Sequence, residues 1–115
     1  MGGRSVGNDG KPLNDPVPTS PPSFDWDETK RLSNIEKHGL DFEDAKPIWD
    51  GRRRISIASP RDTEMRQVNV AELSGKIYSV VSTNASDGAN WIISFRRANA
   101  KEVRLYEQYI SQNNG

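Results

Sequence analysis

The 115-residue chain is long enough for one small domain, and 16 basic against 16 acidic side chains leave it formally neutral, unlike a globally basic nucleic-acid binder. It has no cysteine, which excludes disulfides and thiolate metal sites and fits a reducing, cytoplasmic setting. No apolar run approaches the length of a membrane span or a signal core. With 33% hydrophobic and 28% charged residues and a mean hydropathy of −0.82, part of the chain is expected to lie outside any core.

Residues 1–23 hold five of the seven prolines and four of the nine glycines. Such a segment buries too little apolar surface to offset the entropy of ordering it, so it reads as a disordered leader, with a domain over 24–115. Phe24-Asp25-Trp26 is a strand stub. Asp27 caps a first helix that stops at Gly39, where glycine tolerates the left-handed conformation. Asp41, with Asp44 three residues on, opens a second helix carrying Phe42, Ala45 and Trp49 on one face, and Pro47 should kink or shorten it.

From Asp50 the period changes to that of strands. Arg54 to Ala58, Met65 to Leu73, Ile77 to Thr83 and Trp91 to Arg97 are the four candidates. Ser74-Gly75-Lys76 and Asn84 to Gly88 are turn signals between them, and Ser59 to Val68 is expected to be largely a loop. Ala100 to Gln112 closes the chain as a helix, with Val103, Tyr106 and Ile110 at helical spacing. The expected fold is α+β: two N-terminal helices on a four-stranded, mainly antiparallel sheet, plus a C-terminal helix.

Strict alternation in the last strand places Trp91, Ile93, Phe95 and Arg97 on a helix-covered face, and Ile92, Ser94, Arg96 and Ala98 on an open one. Arg96 then projects from a rigid strand, and its planar fork suits a phosphate. The structural alternative is an ion pair with Glu102 or Glu107. Lys30, Asn34, Lys37 and His38 share one helical stripe, either a cationic strip for nucleic acid or a solvated face whose last residues favour the helix C-terminal dipole. Glu64, near Arg61 and Arg66, is a candidate general base, or one of a set of weak surface ion pairs. Arg52, Arg53 and Arg54 form a basic patch able to touch RNA phosphates, or an ordinary exposed turn. One histidine and no acidic cluster leave no metal site to assign.

Taken in order, "FDWDETKRLSNIEKHGLDFEDA", Arg66 opening a strand, and "IISFRRANAKEVRLYE" resemble the BrnT family of type II toxins over Phe24 to Glu107. The resemblance implies a RelE-like ribonuclease fold. It also implies metal-independent RNA cleavage by attack of a ribose 2′-OH, without a cofactor, leading to inhibited translation and growth. Its partner is a BrnA-type ribbon-helix-helix antitoxin, in a hetero-oligomer that reaches operator DNA only through the antitoxin. Carried onto matching positions, it nominates Arg96 and Arg66 for phosphate, Arg97 in support, and Lys37, His38, Glu64 and Tyr106 for proton transfer or substrate orientation. Lys30, Lys37 and Arg52 to Arg54 remain RNA-binding candidates. Phe95, where the family more often has alanine, and Pro47 are departures. They point to the alternative of a non-catalytic, antitoxin-binding co-repressor.

Overall fold

A computed structural model describes residues 22–61 and 64–113. The expected leader, but for its last two residues, lies outside them. The elements are β1 (Phe24–Trp26), α1 (Glu28–His38), a 3-10 helix (Phe42–Trp49), β2 (Arg54–Arg61), β3 (Glu64–Leu73), β4 (Lys76–Asn84), β5 (Asn90–Arg97) and α2 (Ala100–Asn113). They form a five-stranded sheet in the order β1-β5-β4-β3-β2.

This corrects the expected arrangement in three places. The sheet has five strands, because the Phe24–Trp26 stub pairs in parallel with β5, Phe24 opposite Asn90. The second N-terminal helix is a 3-10 helix rather than an α-helix. It carries Pro47 in its interior, where the missing N–H and the ring oppose continued α-helical bonding. The stretch read as a loop is mostly hairpin: β2 runs on to Arg61, and Ser59 faces Arg66 while Pro60 faces Met65. Residues 62 and 63 lie outside the described residues.

The local signals elsewhere act as expected. The Asp27 side chain accepts from the Thr29 N–H, and Gly39 ends α1 at φ 69° with its N–H on the Ile35 carbonyl. Leu73 pairs with Lys76 across the two residues Ser74 and Gly75, at φ 53° and 83°, the positive pair that a tight hairpin requires.

The core lies on one face of the sheet. Ala71, Val80, Ile92 and Phe95 pack there against Phe42, Ala45 and Ile48 of the 3-10 helix. Trp26 meets Phe42, and Phe24 meets Trp49, both edge-on. Strict alternation along β5 fails because Val81 pairs with Ser94 while Ser82 pairs with Ile92, leaving Ile93 without a cross-strand partner. This bulge rotates Ile92 onto the Phe95 face, and it puts Trp91 on the same side as Ser94 and Arg96. Asn69 is fully buried. Its amide donates to the Val80 carbonyl and Ser82 Oγ, and its oxygen accepts from Ser56 and Arg54.

β1 covers the outer edge of β5 only as far as Ile92, so the peptide groups beyond need other partners. The buried Asn34 of α1 supplies them at Phe95. Its oxygen accepts from the Phe95 N–H at 3.1 Å, and its amide donates to the Phe95 and Leu40 carbonyls, each at 2.8 Å. One side chain thus stands in for a strand and fixes α1 against β5. Asn34→Ala would leave these buried groups unmet and is expected to cost about 2 kcal/mol, read as a lowered urea midpoint with unchanged slope. An unchanged midpoint would show that water replaces the amide at no cost.

Candidate functional site

The opposite face of the sheet carries Ile55, Val70, Ser79 and Arg96 in one cross-strand row. α2 closes over this end. Its start is a reciprocal capping box: Asn99 Oδ1 accepts from the Glu102 N–H at 2.8 Å, and Glu102 Oε1 accepts from the Asn99 N–H at 2.9 Å. The same carboxylate, only 10% exposed, receives both ends of the Arg96 fork at 2.8 and 2.9 Å and the Ser79 hydroxyl at 2.7 Å. The Arg96 guanidinium is the main reason Glu102 titrates at about 2, and Glu102 in turn raises Arg96 above its ordinary value.

Glu102 takes one hydrogen from each terminal nitrogen of Arg96, and Nη1 also reaches the Arg97 carbonyl. Nε–H and the outer hydrogen of Nη2 have no partner among the described residues. These two lie along one edge of the guanidinium. A side-on bidentate donor pair therefore remains available on a side chain whose other end is fixed. The face expected to be open is thus closed over Arg96 at one end. It is part-exposed further along, where Ile57, Val68, Val81 and Ser94 follow.

The other nominated residues fall into separate places. Lys30, Lys37 and His38 line a cleft of about 250 Å³ between α1 and the β5 bulge, together with Ile93 and Ser94. Ser94 shares a face with Arg96 and lies two residues away, about 7 Å along the strand. Asn34 turns inward from the expected stripe. Arg66 lies on the same sheet face as Arg96, two strands over and four residues along, roughly 16 Å between backbones. Its Nε is 2.6 Å from Glu64, so this candidate base and this candidate phosphate ligand occupy each other. Arg97 projects to the other face, over the Tyr78 ring at 5.4 Å. Tyr106 is buried, with its hydroxyl beside the Glu72 backbone and its pKa raised first by burial. Arg52 pairs with Asp50 at 2.7 Å and holds it down to about 2.

The structure therefore gathers Lys30, Lys37 and His38 around a cleft that reaches Ser94, two residues from Arg96 on the same face. It leaves Arg66 with Glu64 further along the same face, and Arg97 and Tyr106 elsewhere. The sequence reading missed the three groups that fix the site: Asn34, Ser79 and the second role of Glu102. The Asn99-x-x-Glu102 spacing was the visible signal for the last of these. Among the described residues no three His, Asp or Glu side chains are placed to hold a metal ion. None of the helices there is long and apolar enough to cross a membrane.

Residues 26–102 match the family model of the ribonuclease toxin BrnT of type II toxin–antitoxin systems. The chain belongs to the BrnT toxin family. The match spans α1, the 3-10 helix, all of β2 to β5 and the start of α2, ending on Glu102, and so it includes the Arg96–Glu102 pair and the cleft. A solved BrnT, the ribonuclease toxin of Brucella abortus, is similar at 29% identity. The alignment covers 68% of this chain and 97% of that one, with a TM-score of 0.50. No curated protein matches. Membership makes this a ribonuclease toxin of a type II system, for which an antitoxin is the partner.

Proposed function

We propose that this BrnT chain is a cytoplasmic, metal-independent endoribonuclease that cleaves RNA at the Arg96 corner of the sheet. The observation that carries the reading is the free side-on edge of Arg96, aimed by Glu102 and Ser79 on a rigid strand. A ribose 2′-OH attacks the adjacent phosphorus, the bond to the 5′-oxygen breaks, and a 2′,3′-cyclic phosphate and a 5′-OH result. Charge gathers on the non-bridging oxygens, where a preoriented guanidinium stabilises the transition state most. One group must take the 2′-OH proton and another must protonate the leaving oxygen. Lys37 and His38, across the cleft from Ser94, are the candidates. Arg66 contacts a more distant phosphate of the same strand. Inhibition of translation and growth follows, relieved by a BrnA-type antitoxin in a hetero-oligomer that reaches operator DNA through that antitoxin.

The test is purified protein on single-stranded RNA, with product ends identified by mass. Cyclic phosphate ends in the presence of a chelator are expected, while cleavage that vanishes with the chelator would exclude the metal-independent route. A second reading, a non-catalytic antitoxin-binding co-repressor, is favoured by one observation: Arg66 and Arg96 each already hold a carboxylate. It predicts antitoxin binding with no cleavage at any protein concentration.

A further inference from the structure

Four arginines, Arg31, Arg52, Arg66 and Arg96, each sit in an ion pair with an acid. Arg54 is different. It is half-buried at the start of the edge strand β2, its centre lies 5.3 Å above the Trp49 ring, and it meets no carboxylate among the described residues. Its protein partners are neutral: Nη1 donates to Asn69 Oδ1 at 3.0 Å and, weakly, to Ser56 Oγ at 3.4 Å. Asn69 is itself immobile, with all of its capacity used inside the sheet. Burial without a counter-charge lowers the Arg54 pKa, which is the cost of holding this cation in place. Nε and Nη2 have no partner among the described residues, so a side-on donor pair is again presented by a side chain locked at its other end.

From this arrangement we infer that Arg54 binds a phosphate of the RNA strand, at a site on the sheet face opposite to Arg96. This rests on the RNA-cleavage reading. A polyanion fits better than a lone acidic side chain because the cations continue. Arg53 is exposed next to Arg54, and Lys46 lies over Phe24, whose ring packs edge-on against Trp49. Lys46 shares its charge with Glu43 at 2.9 Å and contributes less. In the sequence the three arginines 52 to 54 were equivalent. The structure neutralises Arg52 with Asp50, leaves Arg53 exposed with no ion pair among the described residues, and preorganises Arg54.

The experiment measures binding of a short single-stranded RNA bearing 2′-O-methyl groups, which block the attacking hydroxyl, over a range of salt concentrations. Arg54→Gln is expected to bind about tenfold more weakly, with a log–log salt slope shallower by about 0.7. Arg54→Lys conserves charge but not the fork, and should keep the slope while losing about threefold in affinity. Melting temperatures of both variants separate this from misfolding; if the Gln variant melts early, the Lys variant decides. Parent-like affinity and slope in Arg54→Gln, or parent-like affinity in Arg54→Lys, overturns the inference. So does loss of antitoxin capture with RNA binding intact, which would make the ligand an acidic protein side chain. Cleavage of unmodified RNA by the unaltered chain is assayed alongside. Cleavage with binding indifferent to Arg54 defeats this inference alone, whereas a chain that neither cleaves nor binds RNA defeats the reading beneath it.

Discussion

Glu102→Ala is expected to lower stability by about 3 kcal/mol and the melting temperature by about 15 °C. The carboxylate meets four donors: two from Arg96, the Ser79 hydroxyl and the Asn99 N–H. Alanine removes all of them at once, undoes the helix cap, and leaves a part-buried guanidinium without its counter-ion. The Glu102 carboxyl is lowered from 4.5 to about 2, with the Arg96 guanidinium the first cause, so its ionised form favours the folded state. A depressed carboxylate contributes its stability above about pH 4.5 and loses it as pH falls toward 2. The parent should therefore weaken steeply between those values, and Glu102→Gln should show a shallower loss over the same window. Parallel pH profiles for parent and variant would mean that the pair contributes nothing to folding.

How far this corner was legible in the sequence depends on the range of each signal. Asp27, Gly39 and the Ser74-Gly75 turn act within a few residues, so their effect was readable. Pro47 announced a disturbed helix, but not that a 3-10 helix would replace it. β1 has only three residues, and its partner is some sixty residues away, so no local pattern reveals the pairing. In β5 the alternation holds from Ser94 to Arg97, but the faces of Trp91 and Ile92 were misassigned for one reason. A bulge at Ile93 changes the parity, and a run of Trp, Ile, Ile and Phe looks equally apolar on both sides. Buried asparagines are similarly opaque. Asn34 looked like part of a polar stripe and nothing marked Asn69, yet each has its amide donating to backbone carbonyls that its own segment does not reveal. For Arg96 the two readings, ion pair with Glu102 and phosphate ligand, were posed as exclusive. An end-on fork to Glu102 leaves the side-on edge available, so the ion pair is compatible with the ligand role and orients it.

That dual position makes Arg96 the residue whose replacement matters most, and also the hardest to interpret singly. Arg96→Ala should reduce RNA cleavage by 10²-fold or more, about 3 kcal/mol of transition-state stabilisation. It should also destabilise the fold, because Glu102 then lies buried beside Ser79 without its cation. A lone loss of activity could then be a loss of protein. The double variant Arg96→Met with Glu102→Leu separates the two effects. Removing both charges together leaves neither unpaired, and apolar side chains of similar length fill the space under α2, so stability should recover to within about 2 kcal/mol of the parent, the remainder being the Ser79 hydroxyl and Asn99 N–H bonds that leave with the carboxylate. Cleavage should not return, since no guanidinium faces the scissile phosphate. Arg96→Lys completes the set. It keeps a cation near Glu102 but offers no side-on fork, and should fall between the two in rate while melting close to the parent. Cleavage at the parent rate by the folded double variant would confine Arg96 to a structural role and move the phosphate site to Lys37 and His38.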